Sequence, residues 1–141
     1  MIILDNGGVK IRSSNTGQRG ELLVAEKLLE HGWSVARPFD SASYDLVGVK
    51  KGHLVCIQVK STLGQHYYKN STPHYQFLLG KGKHSKCQYT RDEVNFYICV
   101  GIDQKRFWIF PFDDIKVMTV KIYDSNSKYR KWENAWELLE T

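Results

Sequence analysis

Two short apolar runs near the middle of the chain alternate with polar residues every second position. The first is Tyr44-Asp45-Leu46-Val47-Gly48-Val49 and the second is His53-Leu54-Val55-Cys56-Ile57-Gln58-Val59-Lys60. Runs this rich in Val, Ile and Leu predict β-strands. The intervening Lys50-Lys51-Gly52 predicts a tight turn in which Gly52 takes a positive φ. If Val49 pairs with Leu54, Val47 pairs with Cys56 and Asp45 with Gln58, and directly opposed side chains lie about 5 Å apart. Strand alternation then sends Gln58 and Lys60 to one face and Val55, Ile57 and Val59 to the other. A slip of one residue would exchange the faces.

The pattern before this hairpin has a helical period. Thr16 to His31 predicts a helix, with Ser14, Asn15 or Thr16 to cap it and Gly32 to end it. Leu22, Val24, Ala25, Leu28 and Leu29 form its expected apolar face, and Glu26, Lys27 and Glu30 its wet face. Glu21 falls above Ala25 and beside Val24 and Leu28, inside the apolar stripe. The helix dipole favours an acid in the first turn, which accounts for its place along the helix but not for its face. A carboxylate on a buried face needs a partner charge or a metal.

Along the rest of the chain the pattern predicts a short apolar strand, with an arm, in residues 1–13, and a strand at Trp33 to Arg37 ended by Pro38. Further strands are expected at His74 to Leu79, at Asn95 to Gly101 with Arg106 to Phe110 as a hairpin, and at Lys116 to Ile122. A short helical turn is expected over Pro111 to Ile115 and a closing helix over Lys128 to Leu139. On that last helix Tyr129, Trp132, Trp136 and Leu139 share one face, read as core rather than as a platform for stacked bases. The expected architecture is α/β, a mixed central β-sheet flanked by helices.

At 141 residues this is expected to be a single domain, 1–141, with a core over about 14–62, a basic loop over about 61–92 and C-terminal strands and helix over 93–141. The net charge of +5 and pI of about 9.1 suit a polyanionic partner. No 18-residue apolar run is present, so no membrane partner is expected, and residues 1–10 lack the ordered regions of a signal peptide. Cys56, Cys87 and Cys99 are odd in number and widely spaced, and His84 with Cys87 lacks a second ligand pair for zinc. These features predict a reducing, intracellular (cytoplasmic) location.

The candidate chemistry lies on the hairpin. An acid, an amide and a lysine pointed the same way suit a divalent metal held beside a phosphate. With Glu21 added, the stretch Gln18-Arg19-Gly20-Glu21 through Gln58-Val59-Lys60-Ser61-Thr62 resembles the PD-(D/E)xK nuclease superfamily. Its nearest resemblance is to the Holliday junction resolvase-like branch, including the intron-encoded homing endonucleases. Lys128-Tyr129-Arg130-Lys131-Trp132 through Trp136-Glu137-Leu138-Leu139 is similar to the tail of the homing-endonuclease group.

The resemblance implies a restriction endonuclease-like core and a metal-dependent DNA endonuclease that resolves junctions or cuts specific duplex sites. It makes Glu21 the helix acid, Asp45 the central metal ligand and Lys60 the catalytic lysine. Tyr44 stands where the family has its proline. Gln58 stands where the family has Asp or Glu, and offers a carbonyl oxygen without the negative charge. The implied catalytic set is Glu21, Asp45, Gln58 and Lys60, and the implied ligands of Mg²⁺, for which Mn²⁺ can substitute, are Glu21, Asp45, Gln58 and the Val59 carbonyl. Arg19, Ser43, Ser61, Thr62, Lys81, Lys83 and Lys86 are the candidate DNA contacts, with Ser41 and the Tyr67-Tyr68-Lys69 stretch close by. Cutting both strands of a duplex implies a homodimer or higher homo-oligomer. Two other classes remain open: a DNA-binding module on a catalytically decayed nuclease core, for which Gln58 speaks, and a structural or regulatory protein without nucleic acid.

Overall fold

The computed structural model describes residues 15–40, 42–80, 93–125 and 128–141 in full, and the backbone alone at 2–5, 8–11 and 14. Strands β1 (Ile2–Asp5) and β2 (Gly8–Ile11) make an antiparallel pair of their own. Helix α1 (Ser14–Glu30) follows. A five-stranded sheet then forms from β3 (Ser34–Ala36), β4 (Leu46–Lys50), β5 (His53–Thr62), β7 (Phe96–Gly101) and β8 (Arg106–Pro111), in that order. Its pairs are antiparallel except β5 with β7, which are parallel. Strands β6 (Tyr75–Leu78) and β9 (Thr119–Ile122) form a separate antiparallel ribbon.

The β4–β5 hairpin has the expected register, Val49 opposite Leu54 and Val47 opposite Cys56, and Gly52 takes φ +80° in the turn. Period-two alternation then sorts β5 between two cores. Val55, Ile57 and Val59 pack with Val24 and Leu28 of α1. Neighbouring β7 and β8 are buried on both faces, which is why they read as nearly continuous apolar runs. Ile98 and Val100 join the α1 side, while Tyr97 and Cys99 join a second core with Tyr75 and Phe77 of β6.

The sheet is thus mixed, as expected, but its two covers differ. Helix α1 lies on one face and the β6–β9 ribbon on the other. The face of α1 is also narrower than the sequence pattern implies. Val24 and Leu28 are fully buried, while Leu22 and Leu29 are more than half exposed. A helix laid flat on a sheet buries only the stripe that points straight down, and leucines at its flanks stay outside.

The closing segment is not one helix. It forms two short 3₁₀ turns, Arg130–Trp132 and Trp136–Glu140, separated at Asn134, which sits at φ 56°. There the chain runs along the outer edge of β8: Glu133 bridges to Trp108, and the Asn134 N–H donates to the Phe107 carbonyl at 2.9 Å. Tyr129 and Trp132 pack on the ribbon side of the sheet, Trp136 and Leu139 on the α1 side. A continuous helix would hold all four on one face; wrapping an edge to reach both cores requires the break. Tyr129, Trp136 and Leu139 are core, and Trp132 packs partly buried against it. Arg106 fastens the wrap, donating to Glu133 at 2.9 and 3.0 Å and to Asp124 at 2.6 Å, with its guanidinium over the Trp108 ring.

Candidate active site

Strand β5 outruns its partner. β4 begins at Leu46, opposite Ile57, whereas β5 continues to Thr62. From Gln58 onward β5 is paired with β7 on one side, and among the described residues no strand covers the other. Asp45 occupies that open edge. Its backbone N–H donates to the Ile57 carbonyl at 2.8 Å, and its Oδ2 accepts the Val59 N–H at 2.9 Å. The expected direct opposition of Asp45 and Gln58 is therefore replaced: the ladder stops one residue short, and the Asp45 side chain takes the place of the next backbone partner. Because alternate residues of a strand direct their backbone groups to the same side, the Val59 carbonyl faces this edge too.

Glu21 reaches the same edge from α1. The helix approaches β5 very closely at Gly20, where an added Cβ would overlap the Ser61 Oγ and lie 2.7 Å from the Ser61 Cβ. One residue on, Glu21 is 22% exposed and accepts a 2.9 Å bond from Arg37 Nη2. Burial, and then the neighbouring Asp45 carboxylate, push Glu21 above the usual carboxylate range, with Arg37 pulling the other way. Asp45 is also raised, mainly by burial, against the Val59 N–H bond and the charges of Lys60 and Arg37. Two carboxylates from separate elements thus share a partly dry site with Lys60 and Arg37. Arg37 follows β3 directly and was not among the expected site residues. Its only sequence signal is a lone cation before Pro38, and no local pattern ties it to a glutamate 16 residues earlier.

Gln58 and Lys60 project from the face of β5 opposite α1, half-buried. Lys60 lies opposite Cys99 of β7. Its charge partly offsets the burial that raises that fully buried thiol.

The expected DNA contacts fall in different places. Arg19 is exposed on α1. Ser43 donates to Glu93 Oε2 at 2.5 Å, and Thr62 donates to the Gly64 carbonyl at 3.1 Å. The Ser61 hydroxyl is buried at the helix contact, with no hydrogen-bond partner among the described residues, so only its backbone faces the open edge. Ser41, Lys81, Lys83, Lys86, His84 and Cys87 lie outside the described residues.

A family model described as PD-(D/E)XK endonuclease matches residues 11–139. The chain belongs to the PD-(D/E)XK endonuclease family. Its fold is similar to that of a bacterial homing endonuclease, I-Ssp6803I, with TM-score 0.79 and 20% identity over 92% of this chain and 93% of that one. It is also similar to Hjc, a Holliday junction resolvase from the archaeal hyperthermophile Archaeoglobus fulgidus, with TM-score 0.55 and 15% identity over 89% and 96% of the two chains. No curated protein sequence matches.

The donors at this nuclease's open edge fit a hard divalent cation, the kind of ion with which the family typically works. Two carboxylates and a backbone carbonyl at the edge, with the Gln58 amide oxygen on the adjoining face of β5, are all oxygen donors that could hold such an ion, and a small cation that keeps several waters needs no more. Among the described residues no three His, Cys, Asp or Glu side chains gather into a metal cage. Among the described residues no helix is long and apolar enough to cross a membrane.

Proposed function

We propose that this nuclease is a Mg²⁺-dependent DNA endonuclease that hydrolyses phosphodiester bonds, with Mn²⁺ able to substitute. Glu21, Asp45, the Gln58 amide oxygen and the Val59 carbonyl would hold the cation. One observation carries the reading: two half-buried carboxylates, both shifted toward their protonated forms, meet at the open edge of the strand that bears Lys60. Such a pair is costly without a cation. A bound divalent ion supplies Lewis-acid polarisation of the phosphate and a more acidic water. Lys60 orients the attacking water or neutralises charge that develops on the phosphate. Asp45, fixed by the Val59 N–H, keeps its remaining lone pairs turned to the edge. The net charge of +5 favours duplex DNA, and two antiparallel strands call for a homodimer or higher homo-oligomer.

Labelled four-way junctions and random-sequence linear duplexes, incubated with Mg²⁺, Mn²⁺ or EDTA, test this reading and sort junction resolution from duplex cleavage. Asp45→Ala is expected to lower metal-dependent cutting by at least about a hundredfold while the protein still folds, since it loses one hydrogen bond to a carboxylate, worth about 1.5–3 kcal/mol, and sheds the cost of a half-buried charge. Cutting by Asp45→Ala at the wild-type rate would remove the metal site. Gln58 supports a second reading, a DNA-binding module that has lost catalysis. Binding without cleavage in both ions would establish it.

A further inference from the structure

On the face of the sheet opposite α1, a cavity of about 300 Å³ opens beside Lys60, with Thr62, His66, Gln76 and Phe77 in its walls. His66 is held there from several sides. Its N–H donates to the His74 carbonyl at 2.7 Å, and the His74 N–H returns a bond at 3.3 Å. Its ring stacks on His74 at 5.9 Å and 16°, and packs against Tyr68 at 5.8 Å. His74 is itself immobile: it is 1% exposed, its Nδ1 donates to the Thr72 carbonyl at 2.9 Å, and Tyr123 lies 4.8 Å from it.

The His66 Nδ1 is buried and has no hydrogen-bond partner among the described residues. An orphaned buried N–H is costlier than an orphaned acceptor, so the ring keeps its proton on Nε2. With Nδ1 shut off from solvent, the edge that His66 turns to the cavity is the one bearing Nε2–H. Lys60 lines the same cavity, so a cationic side chain and an imidazole N–H border one space. A ligand that only accepts, such as a phosphate oxygen, matches them.

We propose that His66 is a substrate-positioning residue. Its Nε2–H donates to a non-bridging oxygen of the backbone phosphate next to the one that Lys60 faces. The proposal rests on the DNA endonuclease reading above and adds a neutral contact to the cleaved strand. It also gives the Gln65-His66-Tyr67-Tyr68 segment, bridged to His74, a purpose that packing does not: the ring is clamped, yet its Nε2 is not among the buried polar atoms.

Binding of the intact protein to a fluorescent random-sequence duplex and a four-way junction, in EDTA over a series of salt concentrations, tests it. His66→Phe keeps the stacked ring but removes the donor, and is expected to bind about tenfold more weakly. His66→Gln places an amide N–H where Nε2–H stands and should remain within about twofold of wild type, whereas the shorter His66→Asn should match Phe. The slope of log affinity against log salt should be unchanged in all three, because a neutral donor releases no counterion. A ring needed only for packing gives the opposite order, with Phe like wild type and Gln weak, and overturns the proposal. Wild-type affinity in His66→Asn overturns it as well, whether or not the Phe variant folds. Absence of DNA binding by the wild type at low salt would overturn the endonuclease reading together with this one; binding indifferent to all His66 variants overturns this one alone.

Discussion

Glu21 is subject to opposed influences from named neighbours. Arg37 donates to it at 2.9 Å, yet burial and Asp45 raise its pKa, because an arginine about half exposed to water gives up much of its field to solvent. Removing the charge therefore relieves the cation-free protein. Glu21→Gln should abolish cleavage and leave the cation-free melting temperature equal or higher, and Mg²⁺ should raise the melting temperature of the wild type more than that of the variant. Loss of apo stability with intact cleavage would make the glutamate no more than the partner of Arg37. Gln58 is the complementary case, proposed above as a neutral ligand in place of an acid. Gln58→Glu should tighten Mg²⁺ about tenfold by adding charge to the oxygen set, and Gln58→Ala should weaken it. Calorimetric titration reads both, and equal affinities across the three proteins would place Gln58 outside the shell.

The contact of α1 with β5 sets the position of Glu21 at the scale of elements. Gly20 lets the helix lie against Ser61 with no room for a Cβ. Gly20→Ala should cost about 1–3 kcal/mol as an overpacked contact and should lower cleavage further than that loss explains, because the displaced helix carries Glu21. The double variant Gly20→Ala/Ser61→Gly frees the space that the new methyl needs and should recover a large part of both. Thermal unfolding and cleavage rates check it; a double variant no better than Gly20→Ala would show that the helix is placed by other contacts. The β4–β5 hairpin is the second positioning element. Its local turn fixes the register, and the short β4 leaves the β5 edge open for Asp45.

Across the molecule the paired acids make stability depend on pH. Glu21 and Asp45 are both raised above their ordinary values, so the native state binds protons more tightly than the unfolded chain. At a pH below the unfolded values both states are protonated and the site carries no electrostatic cost. As pH rises through the raised native values the unfolded chain has already ionised, and the native state loses stability relative to it. The melting temperature of wild type minus that of Asp45→Asn should thus fall in EDTA as pH rises above the ordinary carboxylate range, and level off once the raised native carboxyls have ionised. Mg²⁺ should abolish most of the difference at the upper end. A difference that does not vary with pH would mean that burial does not raise the Asp45 carboxyl in the folded protein.

The sequence by itself determined the pieces whose causes are local. The β4–β5 register follows from Lys50-Lys51-Gly52 and period-two alternation, and the β7–β8 hairpin from two apolar runs around a short polar turn. It placed Glu21 on the packed side of its helix and Asp45, Gln58 and Lys60 close together, because those positions follow from helical and strand periods. Tertiary structure alone decided the rest. The β6–β9 ribbon in place of a second helical cover depends on pairing between strands about 40 residues apart, which no local pattern encodes. The break at Asn134 depends on both faces of β8 being apolar, so that one segment must reach around an edge. The burial of the Ser61 hydroxyl, the pairing of Arg37 with Glu21 and the clamp on His66 arise where separate elements touch. A side chain's period fixes its direction from its own backbone, and only packing decides what it meets.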